Sequence, residues 1–168
     1  MNNTTSINIA RFISLILLQA LVLNNINFLG YINPYIYILF IVLYPIKNNR
    51  LLFLFLSFLL GLTLDLFLDS GGVHAAACVT IAYIRPVLLK FSFGTIYEHQ
   101  TIKFSSTELG QRITYFSIII FIHHLILFSL EIFNSSNIIL ILKKSLFSSI
   151  FTIILSLLIT ILFSKKNK

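Results

Sequence analysis

Long apolar runs alternate along the whole chain with short breaks marked by polar residues, glycine or proline. A helix that crosses a bilayer needs about 20 mainly apolar residues at about 1.5 Å each. The first run, from about Ile7 to Leu29, meets that length, and Gly30 with Asn33-Pro34 ends it. Asn33 is placed to cap a new helix, and Pro34 suits its first turn. The second run, Tyr35 to Tyr44, is stopped by Pro45. As a helix it covers only about 15 to 17 Å. It is therefore half-length, strongly tilted, or prolonged by irregular backbone that must be buried in protein. Leu51 to Leu68 predicts a third helix, ended by the turn Asp69-Ser70-Gly71-Gly72. Val73 to Phe91 predicts a fourth, kinked at Pro86. Residues 92–112 form the longest polar connection, with Glu98, His99, Lys103, Glu108 and Arg112. Ile113 to Phe133 is the fifth span, Asn134-Ser135-Ser136-Asn137 the next turn, and Ile138 to Phe163 the sixth, before a basic tail over 164–168.

Composition supports this reading. Of 168 residues 58% are apolar and 10% charged, with a mean hydropathy of +0.98. A soluble domain carries about 45 to 50% apolar and about 25% charged residues, so a water-soluble globular fold is excluded. Intrinsic disorder needs low hydrophobicity and high charge and is excluded too. The expected fold class is an all-α polytopic membrane protein with about six transmembrane helices, one of them short, forming a single integral membrane domain over residues 1–168. Arg11 followed by an apolar run resembles a signal peptide, but Gln19 to Asn25 lacks a clean small-residue cleavage site, so the first helix is expected to be retained. Cys78 is the only cysteine, which excludes an intramolecular disulfide or a cysteine-based metal cluster.

The charges are lopsided, with 12 Lys and Arg against 5 Asp and Glu and a net charge of +7. In a soluble protein that excess would suggest nucleic acid, whereas in a membrane protein Lys and Arg gather on the cytoplasmic side. Placed on the six spans, Arg11, Lys47, Arg50, Arg85, Lys90, Lys103, Arg112, Lys165, Lys166 and Lys168 share one side, and only Lys143 and Lys144 take the other. The expected topology has both termini cytoplasmic, with membrane lipid and not nucleic acid as the partner of the basic loops and tail.

Few residues could carry chemistry. Asp65 lies about 22 Å along its helix from Arg50, inside the hydrocarbon region, where a carboxylate costs about 2.5 to 3.5 kcal/mol unless protonated or paired. It should face other helices as a polar lock or ligand contact, or else snorkel to the outer boundary. Gly61, one turn earlier, permits close backbone approach. On the fourth helix Gly71, Ala75, Cys78 and Ala82 recur at helical spacing, widened by Ala76 and Ala77. His74 is a candidate partner for Asp65 at the same end. Arg85, about 16 Å from His74 along the helix, reads as a boundary anchor whose guanidinium reaches the headgroups. His123 and His124 point about 100° apart and do not converge on one metal. They read as neutral histidines packed among helices, with a proton relay as the alternative. Glu131 is placed at the interface. With no nucleophile elbow, phosphate loop or glycine-rich nucleotide site, no enzyme activity and no cofactor are expected.

Three segments together resemble the MreD family of bacterial rod shape-determining membrane proteins, in a form similar to members from the Bacteroidetes branch. They are Leu23-Asn24-Asn25-Ile26 with Gly30-Tyr31-Ile32-Asn33-Pro34-Tyr35, then Gly61-Leu62-Thr63-Leu64-Asp65-Leu66-Phe67, then Gly72-Val73-His74-Ala75-Ala76-Ala77 with Tyr83-Ile84-Arg85-Pro86. The likeness covers roughly the first 90 residues by motif and the rest by length and span pattern. It implies a non-catalytic scaffold of lateral cell-wall elongation that works with MreC, a single-span protein, and with MreB, RodZ, the glycosyltransferase RodA and a class B penicillin-binding transpeptidase. A second copy of the chain is a further candidate partner. The resemblance carries over Gly61, Asp65, Gly72 and Tyr83 as helix-packing and interface positions, beside His74, Ala75 and Arg85 from the residues themselves. It also implies a fold similar to the substrate-binding S-components of energy-coupling-factor vitamin transporters, which keeps open a small-molecule binder as the second function. The first helix offers only Ala10 and Ser14 toward the docking motif of such subunits.

Overall fold

The computed structural model describes residues 3–26, 28, 32–46, 49–94 and 107–162. It is an all-helical bundle of five long helices, each long and apolar enough to cross a membrane, around one short buried helix. Helix α1 spans Asn3–Leu21 and is followed by a 3-10 turn at Leu23–Asn25. A second 3-10 turn, Ile36–Ile38, runs into α2, Leu39–Leu43. Then come α3 (Arg50–Leu68), α4 (Val73–Phe93), α5 (Leu109–Ile132) and α6 (Ile138–Leu162). The pairs α3 and α4, α4 and α5, and α5 and α6 pack against each other as sequential antiparallel neighbours, while α1 lies on α3 and on the short segment.

Local chemistry explains most boundaries. The αL residue Asp69 closes α3 and Gly72, at φ +96°, opens α4, a conformation that glycine adopts without Cβ strain. Asn49 caps α3 by accepting from the backbone N–H groups of Leu51 and Leu52, a cap the hydropathy pattern leaves unmarked. Asn134 accepts from Ser136 N–H in the turn before α6. Helix α1 ends near Leu21, short of the expected Leu29, because its polar end bonds locally: Asn25 donates to the carbonyl of Leu21. Helix α5 starts at Leu109, four residues inside the expected polar connection, and buries Arg112. Lys47, Gly30, Tyr31, the stretch with Glu98, His99 and Lys103, Phe163 and the basic tail lie outside the described residues.

The second apolar run is half-length and buried, one of the geometries its length allows. We call Ile36–Leu43 the half-helix; every residue from Tyr35 to Val42 is buried within the bundle. Arg11 reaches Leu43 and Gln19 reaches Ile36, so the half-helix runs antiparallel to α1 and leads the chain back to the Arg11 end, where α3 begins. Asn33 does not cap it. Its N-cap position is Tyr35, without a side-chain cap of its own, and the caps come from other helices.

Gly61 sits where α3 and α4 touch most closely. A Cβ there would lie 2.5 Å from the backbone N and Cα of Ala75 and from the carbonyl oxygen of His74, so the helices must separate to admit it. Gly61→Ala is expected to cost about 1 to 3 kcal/mol through overpacking. Because Cys78 is the only cysteine and is buried, thermal labelling of its thiol in detergent reports unfolding, and the variant should label at a lower temperature.

Candidate functional site

A short helix inside a membrane protein leaves backbone donors at one end and acceptors at the other with no partners of its own, and lipid cannot supply them. Side chains from four long helices do so here. At the start of the half-helix, Thr152 of α6 accepts from Tyr35 N–H at 3.0 Å. Gln19 of α1 accepts from Ile36 N–H at 2.9 Å and donates to the carbonyl of Pro34 at 3.1 Å. At its end the carbonyls of Val42, Leu43 and Tyr44 all accept from side chains. Arg85 of α4 donates through Nη2 to Val42 and Tyr44, at 3.1 and 2.5 Å. Arg11 of α1 donates to Leu43 at 3.3 Å. Tyr115 of α5 donates to Val42 at 3.3 Å and accepts from Arg85 Nε at 3.0 Å. Pro45 follows, so the segment cannot continue as a helix.

This overturns the expectation for Arg85. It is only 3% exposed, and its guanidinium, 5.1 Å from the Phe53 ring centroid, bonds protein carbonyls inside the bundle. A guanidinium presents five donors in a fixed fork, which suits a frayed helix end with several adjacent acceptors.

The side of the half-helix carries a second set of contacts. The hydroxyl of Tyr37, fully buried, lies 2.7 Å from His74 Nδ1 and 3.1 Å from His123 Nε2. One hydroxyl proton cannot serve two bare ring nitrogens, so Tyr37 donates to one imidazole and accepts an N–H from the other. On the adjacent position of α5, His124 Nδ1 lies 2.7 Å from the carbonyl of Ile120 and its Nε2 3.3 Å from Thr152 Oγ1. A carbonyl only accepts, so His124 donates from Nδ1 and accepts at Nε2 from Thr152, whose oxygen in turn accepts from Tyr35 N–H. The neutral ring completes that chain of donors without a further partner. The two histidines therefore serve different partners, Tyr37 and Thr152. The ring of Tyr35 lies edge-on to Tyr37, His124 and Phe128.

Asp65 forms the lock between α3 and α4. It is 5% exposed and faces the helices, so it does not snorkel. One carboxylate oxygen accepts from His74 N–H at 3.0 Å and from the Ser70 hydroxyl at 2.5 Å, and the other accepts from Ala75 N–H at 2.8 Å. It thus caps the N-terminus of α4 from the preceding helix, where free N–H groups and the helix dipole favour an acid. The predicted pairing with His74 is real but runs through its backbone; the imidazole is committed to Tyr37. Ala75, Cys78 and Ala82 are buried along the strip, whereas Gly71 and Ala76 are exposed and do not widen it. Tyr83 is 61% exposed, and the guanidinium of Arg50, from α3, lies over its ring at 5.1 Å. Glu131 is exposed beside Lys144, with which it pairs at 3.1 Å.

The structure brings Gly61, Asp65, Gly72, His74 and Ala75 together at one junction and sets Arg85 at the far end of the half-helix. Sequence reasoning missed Gln19, Tyr37, Tyr115 and Thr152. A signal was present for Thr152: Ser145, Ser148, Ser149, Thr152 and Ser156 follow helical spacing and are all buried in α6, the small polar stripe that lets membrane helices approach closely. No protein-family model, curated protein or solved structure matches the chain.

Proposed function

We propose that the chain is a non-catalytic scaffold of the bacterial inner membrane, with both termini cytoplasmic, and that it serves lateral cell-wall elongation by holding an MreC-like single-span partner and, through it, RodZ, RodA and a class B transpeptidase. The observation that carries the scaffold reading is where its polar groups go. Asp65, His74, Arg85, Gln19 and Tyr37 are each committed to bonds that fasten the half-helix or the start of α4. Such an interior builds a rigid body; it does not offer reactive groups to a substrate. The MreD-like segments that include Gly61, Asp65 and His74 supply the biological context, and they coincide with the α3–α4 junction.

The second reading, a vitamin-binding subunit, requires a polar hollow lined by Asp65 and His74. Both are consumed by internal bonds, which favours the scaffold. Meanwhile the outer face of α1 leaves Ala10 and Ser14 uncovered between exposed Ile7, Ile13 and Leu17, a surface that a partner helix can approach closely. The test is co-expression with a tagged MreC-like single-span protein and capture in mild detergent, with Cys78 protection as the control for folding. Stoichiometric recovery is expected. A folded protein that is never retained would overturn the reading, and a small molecule released from the purified protein would support the second one.

A further inference from the structure

Arg85 does more than its three bonds require. It is a permanent cation, almost fully buried, and none of the described carboxylates pairs with it. The carbonyl end of the half-helix returns only part of a negative charge. Its Nε and Nη2 are used, while Nη1 has no acceptor among the described residues. Beside it lies a cavity of about 240 Å³, lined by Pro45, Ile46, Arg50, Phe53, Arg85 and Pro86. Ala82 also lines it, and its carbonyl lacks the helical donor that a residue other than Pro86 would provide. The cavity therefore combines a cation that no described carboxylate neutralises with a backbone carbonyl that lacks its i+4 helical donor. Arg50, exposed at the start of α3, adds a second cation, and its guanidinium lies over Tyr83. Because α3 and α4 are antiparallel, Tyr83 lies deeper in the bilayer than the start of α3, and it is exposed there.

We propose that this cavity binds the phosphate of an anionic membrane phospholipid between Arg85 and Arg50, with a headgroup hydroxyl available to the Ala82 carbonyl and the acyl chains leaving past Tyr83 into the bilayer. The proposal is independent of the scaffold reading, since it requires no protein partner. Two cations favour a lipid with net negative charge over a zwitterionic one, and the exposed Tyr83 ring on the membrane side of Arg50 favours a lipid over free phosphate.

The experiment uses the full chain, delipidated in a neutral detergent, with thermal labelling of Cys78 as the readout and native mass spectrometry to count bound lipid. Phosphatidylglycerol is expected to raise the labelling midpoint and to be retained at one molecule per chain, with phosphatidylcholine and inorganic phosphate well below it. Arg50→Gln should weaken phosphatidylglycerol binding about fivefold, the effect of one cation lost near a membrane surface, and Arg50→Lys should restore most of it. Arg50 is exposed, so the lipid-free midpoint of both variants should equal that of the parent. Equal binding of phosphatidylcholine, an unchanged affinity in Arg50→Gln, or protection by inorganic phosphate matching that by lipid would each overturn the proposal.

Discussion

Asp65→Ala is expected to be among the most damaging single substitutions in this chain, lowering stability by about 3 to 6 kcal/mol. The variant strands the N–H groups of His74 and Ala75 and the hydroxyl of Ser70 in a buried junction. Each buried donor left without an acceptor costs about 1 to 3 kcal/mol, and the start of α4 loses the acid that complements its dipole. Asp65→Asn keeps one acceptor oxygen but turns an amide N–H₂ toward a backbone N–H, so it should recover less than half of the loss. Asp65→Glu has no room to shift, because Gly61 already holds α3 against Ala75. The midpoint of Cys78 labelling in detergent measures all three. Parent-like midpoints for Asp65→Ala would mean that α4 starts without help from α3.

Arg85→Gln is expected to cost about 3 to 5 kcal/mol. The guanidinium supplies two bonds to the carbonyls of Val42 and Tyr44 and one to Tyr115, each charged bond contributing about 1.5 to 3 kcal/mol in a buried setting. After its removal Val42 keeps only the Tyr115 hydroxyl, and Tyr44 loses its Arg85 donor. Arg85→Lys should rescue little, since a single ammonium cannot reproduce a planar fork that reaches two carbonyls and a hydroxyl at once. At about 2 to 4 °C per kcal/mol for a chain of this size, both variants should lower the labelling midpoint by roughly 6 to 20 °C. If Arg85→Lys retained the parent midpoint, charge alone and not the fork would be holding the half-helix.

The two residues differ in how far a sequence can take them. Asp65 was legible as buried, because its depth from Arg50 follows from helix rise and a carboxylate at that depth needs partners. His74 was legible as its candidate partner, but not that the bond runs through the backbone, since periodicity places side chains on faces and does not reveal which backbone N–H groups a turn leaves exposed. Arg85 was misread as an anchor for a related reason. A basic residue near the end of an apolar run looks like a boundary unless something inside the bundle needs a donor, and that need arises only when Tyr35 to Tyr44 folds into the interior. The caps Gln19 and Tyr115 were invisible for the same reason, and Thr152 showed only as one member of the small polar stripe of α6, each lying on a different helix from the half-helix whose end it closes. For the histidines, adjacency on one helix argued only against convergence on one metal, and their partners Tyr37 and Thr152 came from the fold.

By itself the sequence determined that this is an all-helical membrane protein, where its long helices lie, and that the second apolar run is too short to cross as a regular helix. These follow from run length, hydropathy and the punctuation of proline, glycine and asparagine, all local properties of the chain. Only the tertiary structure decided where the scarce polar groups point. A bilayer leaves no water to satisfy the ends of a short helix, so its partners must come from whichever helices the fold brings alongside, and those are separated from it by up to 117 positions in the chain.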